Sequence, residues 1–267
     1  MIDPALRDRY ETDDGSRPQT FGLGQREAEA EPLSAIAVLE GGDVFDAASS
    51  SARESARQHA KAHLQAWFGT HFVLEGGTAE VQACVRDHSR RFLGENAPLL
   101  RRLLRAKPVR ARLIEPGDTL RRTGLPRALR LNAAGLFWDH PSWGEARIVL
   151  RTEFFESKPA LVAHELGHAV HYLALSERER QLIYRVLSPS FGTRSAMDEV
   201  FAIYGEREFL IDTGQEAALT GPGIYGAIRK QWSEDHTFTR FIRKLYYPGK
   251  PLAGPRIAGW LGPLNVI

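Results

Sequence analysis

Apolar residues recur at helical spacing between residues 49 and 106. Ser49–Phe68 has a serine-rich start and predicts a first helix. The pair Gly76-Gly77 marks a break, after which Thr78–Ala106 predicts one or two further helices. The candidate core positions of these segments are Ala56, Ala60, Leu64, Trp67, Phe68, Val81, Cys84, Val85, Phe92, Leu99, Leu100, Leu103 and Leu104. This part of the chain is therefore predicted to be mainly helical.

The pattern changes to strict alternation at Lys107. Lys107–Glu115 alternates apolar and polar residues and stops at the turn signal Pro116-Gly117, so it predicts a strand. Further strands are predicted at Arg127–Leu131, Gly135–Trp138 and Glu145–Arg151, the last two as a hairpin or strand pair. Helices on both sides of a small group of strands indicate an α+β fold.

An apolar, helix-compatible stretch, Ala160–Tyr172, contains the motif His-Glu-x-x-His. His164 and His168 are four residues apart, so on a helix both imidazoles project from one face and can reach one metal ion. Glu165 lies on the flank of that face, where it can accept a proton from a metal-bound water without binding the metal. Gly167 costs about 1 kcal/mol in a helix interior, which predicts that another element packs closely there.

Capping signals place the helices around this motif. Ser157 and Pro159 suit a helix start, so the metal-binding helix is predicted from about Lys158 to Leu175. Ser176–Glu179 then matches a capping box, which opens a second helix that runs through Leu187.

A third helix carries two adjacent acids near its start. The S-x-x-D signal Ser195–Asp198 predicts where this helix begins, and Gly214 marks its end. Asp198, at the fourth position of the signal, is predicted to cap the helix start. Glu199 is then left to complete the metal site with the two histidines, with water in the fourth position. Asp198 is the alternative third ligand.

The order of these pieces resembles the gluzincin peptidases, and in particular the anthrax lethal factor-like catalytic domain family. The matching pieces are Gly135 and Phe137 in one strand, IVL in the next, HELGHAVHY at 164–172, EVFAIY at 199–204 and FTRFIRKL at 238–245. The resemblance implies a zincin-like fold and peptide hydrolysis at a Zn²⁺ ion held by two histidines and a glutamate, with the glutamate of the first motif as general base. By analogy, the strand before the metal-binding helix borders the cleft, where an exposed edge can bind an extended peptide; the alternative is a plain packed strand.

Two positions depart from the family pattern. The family has a Tyr-Gly pair shortly before the third ligand, and the tyrosine hydroxyl assists the oxyanion. This chain has Phe191-Gly192 there, with one extra residue before the acid, and a phenyl ring cannot donate a hydrogen bond. Where the family commonly has an aspartate three residues past the second histidine, this chain has His171, which we interpret as a supporting or surface residue and not as a ligand.

Four other side chains are candidates for the missing oxyanion donor: Tyr184, Tyr204, Tyr225 and His236. Tyr225, in the glycine-rich segment GPGIYGAI, and His236, at the start of the last helix, are preferred because loops beside a cleft can aim a side chain inward. Tyr204 is expected to pack in the core. With Glu165 as the base, Tyr225 and His236 complete the predicted catalytic set.

Composition and charge exclude several other functions. The chain has 35 Lys+Arg and 33 Asp+Glu, a net charge of +2, so neither nucleic acid nor membrane is a predicted partner. The single cysteine, Cys84, excludes an internal disulfide and fits a reducing compartment. The sequence shows no apolar leader and no apolar run of membrane-spanning length. The expectation is a cytoplasmic location, with specialised secretion still compatible.

The chain is predicted to consist of four parts. These are a flexible tail (1–32), a mainly helical region (33–125), a zincin-like catalytic domain (126–247) and a Pro/Gly-rich apolar strap (248–267). The strap must bury its apolar residues, either along the helical region or in the substrate cleft as an inhibitor. The predicted function is zinc-dependent hydrolysis of a peptide or protein substrate. The alternative is a zinc-binding interaction or regulatory module with little or no turnover.

Overall fold

The computed structural model describes residues 50–94, 96–116, 133–220, 224–231 and 236–247, and for residues 50–53, 220, 224 and 225 it describes the backbone alone. All described helices and strands belong to one compact unit. The predicted tail (1–32), the predicted strand Arg127–Leu131 and the predicted strap (248–267) lie outside the described residues.

The described residues form an α+β fold, as the sequence predicts. Its helices are α1 (Ser50–Thr70), α2 (Ala79–Leu93), α3 (Ala97–Leu103), α4 (Leu161–Ala169), α5 (Glu177–Leu187), α6 (Arg194–Asp212), α7 (Ile224–Arg229) and α8 (Thr237–Tyr246). Its strands are β1 (Phe72–Glu75), β2 (Val109–Ile114), β3 (Gly135–Trp138) and β4 (Ala146–Arg151). Short 3-10 helices cover Thr152–Phe154 and Glu216–Thr220, and a π-helical turn, Val170–Ala174, continues α4.

The four described strands form one mixed sheet in the order β1-β2-β4-β3. β1, β2 and β4 are parallel, whereas β3 runs antiparallel to β4, with Phe137 opposite Ile148. Val109, Ala111 and Leu113 are buried on one face of β2, which explains the alternation that predicts this strand. β1 was not predicted, because a strand of four residues between a helix and a turn is too short to show alternation.

β4 lies inside the sheet, between β2 and β3. The expected exposed edge therefore does not belong to the strand that directly precedes the metal-binding helix. Among the described strands that edge belongs to β3, which pairs with β4 on one side only. The predicted pairing of these two strands is confirmed.

Helices α4 and α6 pack closely at Gly167. Every residue of α4 is buried, and most residues of α6 are buried as well. A Cβ added at Gly167 would lie 3.1 Å from the Cα atom of Ala202 on α6, which is tighter than ordinary van der Waals contact. The close packing that the sequence predicts at this glycine is confirmed.

The predicted start of the metal-binding helix needs correction, whereas its helical segment continues to Ala174, next to the predicted end at Leu175. α4 begins at Leu161 and not near Lys158, because the Ser157 hydroxyl donates to the Phe154 carbonyl and does not cap the helix. After Ala169 the helix widens into the π-helical turn. The capping box of α5 is confirmed, since Ser176 and Glu179 each accept a backbone N–H of the other.

None of the described helices combines the length and the apolar character that crossing a membrane requires.

Candidate metal centre

His164 and His168 lie one helical turn apart on α4, as their spacing predicts. Their ring centroids are 5.0 Å apart and the ring planes are nearly perpendicular, at 82°. Both residues are buried, with 7% and 9% of their surface exposed. Two imidazoles are therefore held by one short, fully packed helix, which fixes their separation.

Glu199 reaches both histidines from α6. Its Oε1 atom is 3.6 Å from His164 Nε2, and its Oε2 atom is 3.1 Å from His168 Nε2. One nitrogen from each histidine and one carboxylate oxygen all lie within 4.8 Å of one another. Ligand atoms bound about 2.1 Å from one tetrahedral zinc ion are about 3.4 Å apart, and two histidines with one carboxylate form a known catalytic zinc set. The residues present thus fit a zinc ion.

Glu206, two turns after Glu199 on α6, contacts the other nitrogen of His164. Its Oε2 atom is 3.2 Å from His164 Nδ1, and its Oε1 atom pairs with Arg229 of α7. A carboxylate on Nδ1 orients the ring and leaves the Nε2 lone pair directed at a metal. Glu206 was not predicted from the sequence. Its separation of seven residues from Glu199, which puts both acids on one face of a helix, is the signal that could have found it.

The pKa values of His164 and Glu199 shift in opposite directions, each toward the charged form of its side chain. Burial alone would lower the pKa of His164, but hydrogen bonds and charges of Glu199 and Glu206 outweigh burial and raise it well above its usual value. Burial would likewise raise the pKa of Glu199, but its hydrogen bonds to the two histidines hold that pKa well below its usual value. In the metal-free state the pocket therefore pairs a cationic histidine with an ionised carboxylate.

Glu165 is buried between α4 and strand β3. A Cβ added at Gly135 would lie 2.5 Å from Glu165 Oε1, so a larger residue at this position would displace the carboxylate. A hydrogen bond with the backbone of Phe137 also holds the carboxylate. Burial raises the pKa of Glu165, and the positive charges of His164 and His168 only partly oppose this effect. The edge strand thus positions the predicted base.

Asp198 does not cap helix α6, so that prediction is wrong. The cap is Thr193, whose side chain accepts the backbone N–H of Ala196. The helix consequently begins at Arg194, one residue before the predicted serine. Asp198 is not part of the cluster of His164, His168 and Glu199, and it accepts hydrogen bonds from Tyr172 and Tyr184.

His171 is fully buried, which excludes the surface position that the sequence left open. Its Nε2 atom lies 3.0 Å from Asp198 Oδ1 and 3.0 Å from the Tyr184 hydroxyl. The rings of His171 and Tyr172 also pack in an edge-to-face arrangement, with centroids 5.2 Å apart. His171 therefore belongs to a polar network that adjoins the metal cluster, and it is not one of the clustered donors.

The structure places the oxyanion candidates in different environments. Tyr184 donates to Asp198, and Tyr204 is buried in the core beside Phe238, as expected for Tyr204. His236 caps α8, since its Nδ1 atom accepts the backbone N–H of Phe238. In its neutral form the proton of His236 therefore resides on Nε2. Tyr225 lies in α7, but its side chain is outside the described part of the chain.

A row of stacked rings extends from the histidines along β3. The Phe137 ring is nearly parallel to His168, with centroids 6.5 Å apart, and to Tyr172, with centroids 5.8 Å apart. Tyr172 keeps 42% of its surface exposed, an unusual value for a large apolar side chain in this structure. Phe137 was predicted to lie in a strand, but Tyr172 was not predicted to belong to the site.

Comparisons with protein-family models, with curated proteins and with solved structures found no match to this chain. The chemistry of the site therefore has to follow from the geometry of its own side chains.

Proposed function

We propose that this chain is a zinc-dependent peptidase, in which His164, His168 and Glu199 hold the metal and Glu165 is the general base. The observation that carries the proposal is the convergence of three donor atoms within 4.8 Å, next to a buried carboxylate of raised pKa. Structural zinc sites are closed by four protein ligands, whereas catalytic sites combine three protein ligands with an open position. A set of two histidines and one glutamate fits the catalytic kind.

In the proposed mechanism the metal ligands and Glu165 have different roles. A zinc ion held there would lower the pKa of a bound water and polarise the substrate carbonyl. Glu165 takes the proton that the attacking water loses and delivers it to the leaving amine. A raised pKa suits this shuttle, because the group must both accept and release a proton near neutral pH. Gly135 and the backbone of Phe137 hold the carboxylate in place.

The edge of β3 supports an extended peptide as the substrate. No described strand pairs with the outer edge of β3, and the backbone of Phe137 in this strand forms a hydrogen bond with Glu165. A peptide that adds to this edge as a further strand would run past the base and the metal ligands. Main-chain hydrogen bonds would then align the peptide, and the scissile carbonyl would be presented to the centre.

The order of elements supports a likeness to the gluzincins, and especially to the lethal factor-like family. The Gly135–Trp138 strand, the IVL strand, the HELGH helix, the Glu199 helix and a late amphipathic helix all form, in that order. A helix–helix crossing at Gly167 then brings the third ligand to the two histidines. We infer a zincin-like arrangement of this catalytic region.

Metal analysis and a peptide digest test this function. Purified full-length chain should retain about one zinc per molecule after mild dialysis, and His168→Ala should lose it. The zinc-loaded chain should cleave members of a complex peptide library, and a chelator should abolish the cleavage. A chain that takes up no zinc, even when zinc is added, would refute the proposal.

A second candidate function is a zinc-binding interaction module with little or no turnover. Phe191 favours this second function. The buried Phe191 ring occupies the position at which the gluzincin-like family has a tyrosine that assists the oxyanion, and a phenyl ring has no hydrogen-bond donor. Stoichiometric zinc without cleavage of any library peptide, together with unchanged partner binding in Glu165→Gln, would support the module. Chelator-sensitive cleavage that Glu165→Gln abolishes would exclude it.

A further inference from the structure

Four side chains from three consecutive elements meet next to Glu199. His171 and Tyr172 come from the π-helical turn, Tyr184 comes from α5, and all three converge on Asp198 of α6. His171 Nε2 lies 3.0 Å from Asp198 Oδ1, the Tyr184 hydroxyl donates to the same oxygen at 2.7 Å, and the Tyr172 hydroxyl donates to Oδ2. We call these four residues the Asp198 clamp.

The clamp forms only when its three elements are in place together. Asp198 is buried, with 8% of its surface exposed, and His171 has no exposed surface. A buried carboxylate is costly unless hydrogen bonds replace the water that it has lost. Here the replacing donors are spread over the π-helical turn and α5, so a shift of either element would leave the carboxylate poorly solvated. Asp198 therefore ties the start of α6 to both of them.

The position of Asp198 determines the position of Glu199. Adjacent residues of an α-helix point about 100° apart, so one rigid turn directs Asp198 to the clamp and Glu199 to the histidines. The clamp residue His171 follows the ligand His168 by three positions in the same continuous helical segment. The clamp therefore connects the helix with two metal ligands to the helix with the third, within one turn of each.

We propose that Asp198 is a positioning residue, which holds Glu199 at the distance from His168 that metal binding requires and thereby sets the affinity for zinc. This inference rests on the proposed function in one respect, namely that His164, His168 and Glu199 bind a metal ion. It does not depend on whether the centre hydrolyses peptides. It also explains why two adjacent acids occur at the start of α6, since each serves a different neighbour.

The test is the zinc affinity of the full-length chain, measured by competition with a chromophoric chelator. Asp198→Asn keeps the size of the side chain but replaces one of the two acceptor oxygens with an NH2 donor, so the clamp loses the hydrogen bonds that the replaced oxygen accepts. Loss of a group that orients metal ligands typically lowers metal affinity about 10- to 100-fold, and we expect a loss of that size. Tyr184→Phe, which removes a single hydroxyl, should weaken zinc binding less but in the same direction.

Thr193→Ala is the matched control. It removes the cap of the same helix start, so it lowers stability, but it leaves all four clamp residues intact. Its zinc affinity should stay within about threefold of the parent, well short of the loss expected for a ligand-orienting residue. The absorption spectrum of bound Co²⁺ should change in Asp198→Asn and not in Thr193→Ala, because the spectrum reports ligand geometry and not stability.

The possible results distinguish a failure of the positioning role from a failure of the proposed peptidase activity. If Asp198→Asn binds zinc as tightly as the parent, or loses no more affinity than Thr193→Ala, the positioning role is refuted. If Asp198→Asn does not fold, Tyr184→Phe decides, and unchanged affinity and Co²⁺ spectrum in that variant overturn the proposal. A parent that binds zinc but hydrolyses nothing refutes the peptidase and leaves this test intact. A parent without zinc affinity overturns both.

Discussion

Helix α6 carries two groups of buried charged side chains, and they are built differently. In the group near its C-terminal end, the fully buried carboxylate of Glu208 accepts hydrogen bonds from Arg207 at 2.7 Å and from Arg243 of α8 at 2.6 Å. Each carboxylate oxygen thus meets a guanidinium. We call these three residues the arginine group.

The second group surrounds His164 and His168 and contains more acids than arginines. The carboxylates of Glu165, Glu199 and Glu206 lie around the two histidines of α4, and Arg229 pairs with Glu206. A divalent cation would neutralise two of these three carboxylates, and Arg229 the third. Burial of charge alone therefore does not mark a functional site. The candidate metal centre differs from the arginine group in that its donor atoms lie close together and its acids outnumber its arginines.

The largest effect should come from Glu165, the proposed base of the candidate metal centre. Glu165→Gln keeps the shape of the side chain but cannot take the proton of the attacking water, so peptide hydrolysis should fall about 10²- to 10⁴-fold. Zinc content and unfolding midpoint should stay close to those of the parent. The matched control is Glu156→Gln, at an exposed position before α4, which should change neither activity nor zinc. Activity of Glu165→Gln within tenfold of the parent would exclude Glu165 as the base.

A substitution in the arginine group should lower the free energy of unfolding and leave the zinc affinity unchanged. Glu208→Ala removes the shared acceptor of two buried arginines, and breaking a buried ion pair costs about 3–5 kcal/mol of the free energy of unfolding. Urea denaturation of the metal-free chain measures this loss. The folded fraction should bind zinc with unchanged affinity. A loss of zinc affinity without a loss of stability would contradict the division between the two groups.

Glu206 lies on the same helix as Glu208 and should behave in the opposite way. Glu206→Gln weakens the interaction that orients His164, so zinc affinity should fall about 10- to 100-fold. The stability of the metal-free chain should fall less than in Glu208→Ala, because the change removes one acid from a region rich in acids. Glu208→Gln is the matched control, with the same chemical change two residues further along. Equal losses of zinc affinity in Glu206→Gln and Glu208→Gln would contradict the proposed difference between the two groups.

Local signals in the sequence predicted much of the fold. The capping box at Ser176, the alternation that identified β2 and the close approach at Gly167 each depend on residues near one another in the chain. The motif that brings His164 and His168 to one helical face is local in the same sense. Such signals survive in the structure because the tertiary contacts do not oppose them.

Contacts between residues that are far apart in the chain could not be predicted from the sequence. Asp198 was predicted to cap a helix because serine and aspartate formed a suitable local pattern, but burial gave the carboxylate partners that lie up to 27 residues away, at His171. Thr193 caps the helix instead. The contact of Glu206 with His164 spans 42 residues, and only the crossing of α4 and α6 creates it. The π-helical turn has no equally clear local signal.

The smallest effect should come from the helix crossing itself. In Gly167→Ala the new Cβ would lie 3.1 Å from the Cα atom of Ala202, so α6 must move away by a few tenths of an ångström. Overpacking costs about 1–3 kcal/mol and the better helix propensity of alanine returns about 1 kcal/mol, so the free energy of unfolding should fall by about 0–2 kcal/mol. Gly167 adjoins His168 and Ala202 lies on the helix of Glu199, so the same movement should also weaken zinc binding. Gly69→Ala is the control, since nothing lies within 4 Å of the added Cβ and stability should rise by up to about 1 kcal/mol. If Gly167→Ala is as stable as Gly69→Ala and binds zinc as tightly as the parent, the crossing does not set the position of the third ligand.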